Sequence, residues 1–307
     1  YDHRLGGGSN FQVVYRPSNS FALNYLQTVP QMTIETTYND VRGYGPPNQS
    51  VVLNLKNSSG AVKETINTIT YPEGYYYGYF SKDIVFGDKV VVDVGPLHYE
   101  QDVVALSING DIQNNIVYGT APENGWLNIW SSQYFGPYDY YYHDAFYADS
   151  AGNFAASVPE VRRGDRLEIM YWQDGYKDQV RYQATIPVVY IDQTDNAVYG
   201  NATPDAAGTI EIYNSSGGLK SSTSVTADSQ YGSFWFSPAH DIVPGDKVKI
   251  SIPPLNVQET VVPLIANVDV SADTISGQGP ESVSLGYGVM SPFYYNYYNW
   301  YFWSMDS

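Results

Sequence analysis

The sequence predicts an all-β protein, a tandem array of small β-sandwich domains with about 77 residues per repeat. Three observations carry this. A glycine with a proline shortly after it recurs as Gly43/Pro46, Gly119/Pro122, Gly200/Pro204 and Gly277/Pro280, at glycine intervals of 76, 81 and 77. A second turn recurs as Gly87-Asp88-Lys89, Gly164-Asp165-Arg166 and Gly245-Asp246-Lys247. Between them stands a Gly-x-Phe landmark, read at Gly78-Tyr79-Phe80, Gly152-Asn153-Phe154 and Gly232-Ser233-Phe234. Three landmarks in one order at one period define a repeat, and a repeat is the first thing to establish about a chain. Short alternating strands between the turns, with no apolar residues sustained at i, i+3, i+4 and i+7, point to a β-sandwich and away from helix.

The unit is complete in residues 108–187. A strand runs through Val117-Tyr118-Gly119-Thr120 into a Gly/Pro turn, and Trp126 to Trp130 alternates. An aromatic hairpin from Tyr134 to Tyr147 follows, then Gly152-Asn153-Phe154, then Gly164-Asp165 before Leu167, Ile169 and Tyr171. Residues 32–107 repeat the plan with Val90, Val92 and Val94 on one strand face, and residues 188–265 with Val248, Ile250 and Ile252. The Gly-Asp pair is a turn device, since glycine accepts positive φ and the Asp side chain bonds nearby amides. Asp88, Asp165 and Asp246 are therefore read as structural.

The two ends of the chain read as pieces of one further repeat. Residues 266–307 pass Gly277 and Pro280, enter an aromatic hairpin and stop at Asp306-Ser307, which matches Asp149-Ser150. Residues 1–31 match a back half: Gly8-Ser9-Asn10-Phe11 is read as the Gly-x-Phe landmark, and Thr28-Val29-Pro30 resembles Thr185-Ile186-Pro187. Together the pieces hold 73 residues, close to one repeat. A half sandwich exposes an apolar face and strand edges, so residues 266–307 are expected to be completed by 1–31 of the next copy. Phe11, Val13, Val14, Phe21, Leu23, Val283 and Leu285 are the expected split-domain interface. Tyr1 is not a translation start, which predicts a processed product or one tile of a longer chain.

An alternation overlies the repeat. Asn57-Ser58-Ser59-Gly60 recurs as Asn214-Ser215-Ser216-Gly217, so repeats one and three form one type. Repeats two and four share the aromatic hairpin, Pro137 to Tyr142 against Pro292 to Tyr297. The order is A-B-A-B.

The pattern Val117, Gly119, Pro122, Ala148, Asp149, Gly152, Phe154, Gly164 and Asp165 resembles bacterial Ig-like domains of large surface proteins. The resemblance covers most of the chain, and its residues are turns and core positions. It implies a tandem Ig-like array in an extracellular adhesin, stalk, surface layer or filament at the cell surface. It implies no chemistry, because a sandwich does not fix function.

Composition narrows the partners. A formal charge of −17 with only 15 Lys and Arg argues against nucleic acid. No apolar run approaches the ~18 residues of a membrane span. With no cysteine there is neither disulfide nor thiol chemistry. His3, His98, His143 and His240 fall at unrelated repeat positions, and no catalytic motif groups them, so a non-enzymatic role is expected. No cofactor is expected, except that junction carboxylates Asp111, Asp192, Asp195, Asp269 and Asp273 offer oxygen ligands for Ca²⁺. Asn48, Asn57, Asn201 and Asn214 begin Asn-x-Ser/Thr sequons and are glycosylation candidates.

The aromatic runs are the most unusual feature. Tyr75 to Tyr77, Tyr138, Tyr140, Tyr141 and Tyr142, and Phe293, Tyr294, Tyr295, Tyr297, Tyr298 and Trp300 hold more rings than one small core takes. Alternation sends half of each run outward. Such surfaces suit packing against a neighbouring copy, stacking on glycans, or cross-strand ladders that stabilise a hairpin. The expected function is a structural filament or surface-array subunit joined head-to-tail to itself, the alternative a carbohydrate-binding stalk.

Overall fold

The computed structural model describes residues 9–18, 21–132, 141–173, 178–269, 271–272, 274–279, 284–290 and 300–306. All their regular structure is strand. The chain divides into two compact units, one of residues 1–131, 141–161 and 167–184, the other of residues 132–140, 162–166 and 185–307.

The first unit opens with a hairpin of β1 (Asn10–Ser18) and β2 (Phe21–Thr28). Repeat one then supplies β3 (Gln31–Glu35), β4 (Asp40–Tyr44), β5 (Ser50–Lys56), β6 (Val62–Ile69), β7 (Tyr75–Tyr79), β8 (Lys89–Val94) and β9 (Leu97–Asp102). They form a three-stranded sheet, β3-β4-β7, and a four-stranded one, β6-β5-β8-β9. Met32, Ile34, Val41 and Tyr76 from the first pack with Leu53, Leu55, Val90, Val92 and Val94 from the second in one core. That is a β-sandwich, and alternation along each strand selects which side chains enter it.

Repeat two follows the same plan with β10 (Ser107–Asp111), β11 (Ile116–Thr120), β12 (Trp126–Ser132), β13 (Tyr141–Tyr147), β14 (Asn153–Ser157), β15 (Arg166–Gln173) and β16 (Asp178–Thr185). Its sheets are β10-β11-β14 and β13-β12-β15-β16. The second of these does not end at β16. That strand pairs in parallel with β3 of repeat one, so seven strands run in the order β13-β12-β15-β16-β3-β4-β7.

In the second unit, repeat three comprises β17 (Val188–Asp192), β18 (Ala197–Asn201), β19 (Ala207–Tyr213), β20 (Leu219–Thr226), β21 (Ser233–Phe236), β22 (Lys247–Ile252) and β23 (Leu255–Thr260). Its sheets are β17-β18-β21 and β20-β19-β22-β23. Two hairpins close the chain, β24 (Ile265–Asp269) with β25 (Thr274–Gln278), and β26 (Ser284–Met290) with β27 (Trp300–Asp306).

The landmarks have physical causes. A Cβ on Gly43, Gly119, Gly200 or Gly277 would lie 2.0, 1.9, 2.0 or 2.2 Å from the carbonyl oxygen of Gln31, Ser107, Val188 or Ile265. Only glycine permits this approach of the second strand to the first. At the late turn, Gly87, Gly164 and Gly245 take φ of 87°, 86° and 92°. The following Asp88, Asp165 and Asp246 are buried, and their carboxylates accept the Val85, Arg162 and Val243 amides at 3.0, 2.7 and 3.0 Å. In repeats one and three a lysine adds to this lock, Lys63 to Asp88 at 2.7 Å and Lys220 to Asp246 at 2.6 Å.

Two sequence alignments shift in the structure. The counterpart of Gly152 and Gly232 in repeat one is Gly74, not Gly78. The carbonyls of Gly74, Gly152 and Gly232 accept the amides of Gly45, Ala121 and Ala202. Tyr76 then stands opposite Gly43 as Phe154 stands opposite Gly119 and Phe234 opposite Gly200. A tyrosine ring fills the slot that phenylalanine fills elsewhere, and Gly78-Tyr79-Phe80 matched by spacing alone.

The second shift concerns the chain start. Val29 donates its amide to the Ser9 carbonyl at 2.8 Å, the bond that Val103, Ile186 and Val261 donate to Asp88, Asp165 and Asp246. Ser9 therefore stands in the Gly-Asp turn position rather than in the Gly-x-Phe landmark. Hairpin β1–β2 thus closes with the same bond as β8–β9, β15–β16 and β22–β23, and hairpin β24–β25 pairs as β10–β11 does. No described strand is the counterpart of β14.

Candidate interaction site at the repeat junction

The site with the most developed polar chemistry lies where β16 meets β3. It begins with a local device. Each repeat opens with a hairpin whose first strand ends in an acid, at Glu35, Asp111, Asp192 and Asp269. The three aspartates close their own turns. Asp111 Oδ1 accepts the amides of Gln113 and Asn114, Asp192 Oδ1 those of Thr194 and Asp195, and Asp269 Oδ1 those of Ser271 and Ala272.

Glu35 has one methylene more and is used differently. Its bond to the Thr37 amide is long, 3.4 Å, and its other oxygen accepts from Gln183 Nε2 of β16 at 3.3 Å. Arg181 Nε lies 4.0 Å from the same carboxylate, an ion pair without a hydrogen bond. The Arg181 guanidinium binds Glu168 directly, and Gln183 Nε2 also donates to Glu168 at 2.8 Å. Two carboxylates thus share one arginine and one amide.

The strands are tied around this cluster. The register sets Gln179 opposite Thr33, Val180 opposite Ile34 and Arg181 opposite Glu35. Thr36 donates its amide (3.0 Å) and hydroxyl (2.9 Å) to the Arg181 carbonyl. The Gln183 amide donates to Thr37 Oγ1 at 2.7 Å, the Tyr38 hydroxyl donates to Gln183 Oε1 at 2.9 Å, and the Met32 amide donates to Asp178 Oδ1 at 2.9 Å. All five residues of β3 are buried, and Glu35 is 0% exposed.

Burial dominates the electrostatics. It pushes the Glu35 carboxyl up from 4.5 to about 7, against the pull of Arg181, while Glu168 and Asp40 push the same way as burial. Asp40, opposite Glu35 across β3–β4, is also raised, by burial first, with Arg42 and Arg181 opposing. One arginine beside this many carboxylates leaves Glu35 ready to take a proton near neutrality. The chemistry available here is a pH-sensitive clasp between repeats.

The positions singled out in the sequence fall elsewhere. Asn57 and Asn214 occupy equivalent turns, where each Oδ1 accepts two amides and a serine hydroxyl. Asn48 is exposed at φ 55°, and Asn201 Nδ2 donates to the Tyr231 carbonyl at 3.1 Å. Asp111, Asp192 and Asp269 serve their turns, and the Asp195 amide donates to Asp192. Among the described residues no group of three or more acidic, His or Cys side chains could hold a metal ion. Tyr138, Tyr140, Phe293, Tyr294, Tyr295, Tyr297, Tyr298, Val283 and Asp273 lie outside the described residues. Tyr141 and Tyr142 run along β13 opposite Ser131 and Trp130, and Trp300 opposite Met290. Phe11, Val13 and Val14 lie on β1, Phe21 and Leu23 on β2, and Leu285 on β26.

Two features escaped the sequence. Asn39, Asn115 and Asn196 take φ of 55°, 53° and 50°, and their Oδ1 atoms accept the Ile84, Val161 and Ile242 amides. An asparagine four residues before Gly43, Gly119 and Gly200 was the available signal. Tyr190, Tyr199 and Trp235 also stack across β17, β18 and β21, with centroids 5.2 and 4.9 Å apart and Trp235 57% exposed. This is the cross-strand ladder expected of one aromatic reading, at residues not singled out for it.

No family model and no curated protein matches the chain. Among solved structures it is similar to a tetra-tandem repeat from the extending region of a large adhesion protein, at 13% identity and TM-score 0.20, covering 92% of this chain and 84% of that one. It is similar to the BSP domain of a biofilm-associated protein at 16% and 0.22, covering 51% and 29%. Chicken CNTN1 FN1–FN3 domains follow at 7% and 0.18, covering 76% and 99%. TM-scores this far below 0.5 carry no functional argument. The chain is a series of β-sandwich repeats, on the evidence of its own sheets and cores.

Proposed function

We propose that this chain is a non-enzymatic structural subunit of an extracellular filament or surface array, joined head-to-tail by a split Ig-like repeat. One observation carries the reading. Strands β1 and β2 share with the last two strands of repeats one to three the closing bond, here from Val29 to Ser9, while β24 to β27 run in the order of a repeat's first four strands. Neither set has a further sheet partner among the described residues. A strand pair supplied by a second copy satisfies both, as in strand-addition complexes. The contact is heterologous, so it propagates into an open polymer unless its rotation closes a ring. A longer chain in which these 307 residues are one tile makes the same contacts within one polypeptide.

Intact mass under denaturing conditions, with electron microscopy of native material, tests this. A 34.2 kDa species forming fibres, which deletion of residues 1–31 abolishes, is the expected result. A folded species that stays monomeric at high concentration overturns it. A second reading, a glycan-binding stalk, draws on the Tyr190–Tyr199–Trp235 stack, in which Trp235 is exposed. Loss of oligosaccharide binding on Trp235→Ala, in material that forms no polymer, would favour it.

A further inference from the structure

The proposed polymer contact involves more than the split repeat. In the seven-stranded sheet of the first unit, β16 closes repeat two and also pairs with β3 of the repeat before it. In this unit the B-type repeat therefore clasps the preceding A-type repeat through its last strand. In the second unit the A-type repeat is complete, and β17, the counterpart of β3, lies at the end of its sheet in the order β17-β18-β21. The last strand of the B-type repeat that follows is the counterpart of β16, namely β2.

We propose that the outer edge of β17 receives β2 of a second copy in parallel, with Ala22, Leu23 and Asn24 opposite Tyr190, Ile191 and Asp192. This rests on the head-to-tail reading and extends it from one repeat to two. The register follows without adjustment. Thr28-Val29-Pro30 precedes Thr185-Ile186-Pro187 by 157 residues, and β3 precedes β17 by the same 157. The observed pairs Gln179↔Thr33, Val180↔Ile34 and Arg181↔Glu35 therefore translate directly. The joint sheet would read β27-β26-β1-β2-β17-β18-β21 across two copies.

Three observations support this occupant. Burial comes first: all of β3 is buried beside β16, whereas in β17 only Val188 is buried and the other four residues are half-exposed. The residues of β17 carry none of the usual protection of a free edge, as Val-Val-Tyr-Ile-Asp contains no Pro, Lys or Gly. The strongest observation is a concerted change of charge. In the cis junction Glu35 faces Arg181, Gln183 and Glu168. At the corresponding positions the trans junction has Asp192, Asn24, Leu26 and Gln12. The arginine and the acid it binds directly, Glu168, are replaced together by neutral residues, and the remaining Asp192 is held by its own turn. An Arg at position 24 facing no glutamate would be a costly buried charge. Its absence is what a junction between these two strands requires.

The chain has no cysteine, so engineered pairs report without background. V13C/Y287C tests completion of the fourth repeat, since these positions are the counterparts of the observed pairs Leu53↔Val92 and Ile210↔Ile250. L23C/I191C tests the edge of β17. After mild oxidation of the full chain, both variants should give disulfide ladders in steps of 34.2 kDa. A ladder from V13C/Y287C alone overturns the β17 assignment and leaves the head-to-tail reading standing. No ladder from either overturns both. A monomer of altered mobility from L23C/I191C places the contact within one chain and also overturns the proposal. Amide exchange on the unsubstituted chain provides a check that needs no variant. Exchange at 188–192 should slow about tenfold or more on assembly. Unchanged exchange there, with β26 newly protected, overturns the proposal.

Discussion

Strands β3 and β17 hold the same place in repeats one and three, with the same glycine approach behind them. They differ in their surroundings. Beside β16 a five-residue strand becomes fully buried, and its terminal acid enters a shared network. Without such a neighbour in its sheet among the described residues, β17 keeps four half-exposed residues, and its terminal acid closes a local turn. The lesson is that one methylene, Glu for Asp, separates a turn residue from a clasp residue. The extra length is useful only where a partner strand brings an amide and a guanidinium within reach.

The comparison can be broken most sharply at Arg181. Replacing it with Ala leaves Glu35 and Glu168 without their cation, and buried charge left uncompensated costs about 3 kcal/mol or more. Urea unfolding at pH 8 should show this loss, with exchange at Ile210 and Ile212 of repeat three unchanged. The penalty should shrink at pH 5, where Glu35 is protonated.

The next largest effect is the pH dependence of the clasp itself. Glu35 has a folded pKa of about 7 against an ordinary 4.5, so between these values the folded state holds more protons than the unfolded one. Stability is then greatest below pH 4.5 and falls as pH rises through 7. The shift corresponds to about 3 kcal/mol as an upper bound for this group. Glu35→Gln should flatten that slope and be more stable than the parent at pH 8, as read from urea midpoints at pH 5 and pH 8. A parent slope that survives in Glu35→Gln would assign the titration to another group, Asp40 being the nearest. The proposed trans junction has Asp192 in place of this glutamate, so fibres formed through it should dissociate with pH less steeply than repeats one and two loosen.

Smaller effects sharpen the contrast. Asp192→Ala removes two exposed turn bonds and should cost about 1 kcal/mol, of the size of a lost cap. Lys63→Met and Lys220→Met should cost similar amounts, about 1 kcal/mol each, because both lysines lock a Gly-Asp turn away from any junction. Unequal losses would mean that the two A-type repeats differ in more than their neighbours.

Much of the fold was legible. The glycines and Gly-Asp turns stand where backbone geometry admits little else, so their spacing marked successive repeats and the turns between strands, but not how the strands pair into sheets. The alternating valines gave the core face of β8, although Val91 on its other face is buried too. Landmarks defined by letters were less secure than those defined by geometry. Gly78-Tyr79-Phe80 imitated a motif that Gly74-Tyr75-Tyr76 fulfils, because the slot asks for an aromatic ring and not for phenylalanine. Gly8 was misplaced for a similar reason: Ser9 keeps the turn through its backbone carbonyl and lacks the acidic side chain that marks the others. The junction was not legible at all. Glu35, Arg181, Gln183 and Glu168 are separated by up to 148 residues, and no periodicity links them.

The sequence alone therefore determined that the chain is a series of small β-sandwich repeats and where the turns that punctuate them stand, since these are local consequences of φ, Cβ sterics and side-chain alternation. Only the tertiary structure decided that one repeat lends its last strand to the repeat before it. Parallel pairing is a relation between strand edges, and an edge consists of backbone groups that every residue carries. No single side chain announces it. What can be read afterwards is the change in charge that such pairing imposes on the residues it buries.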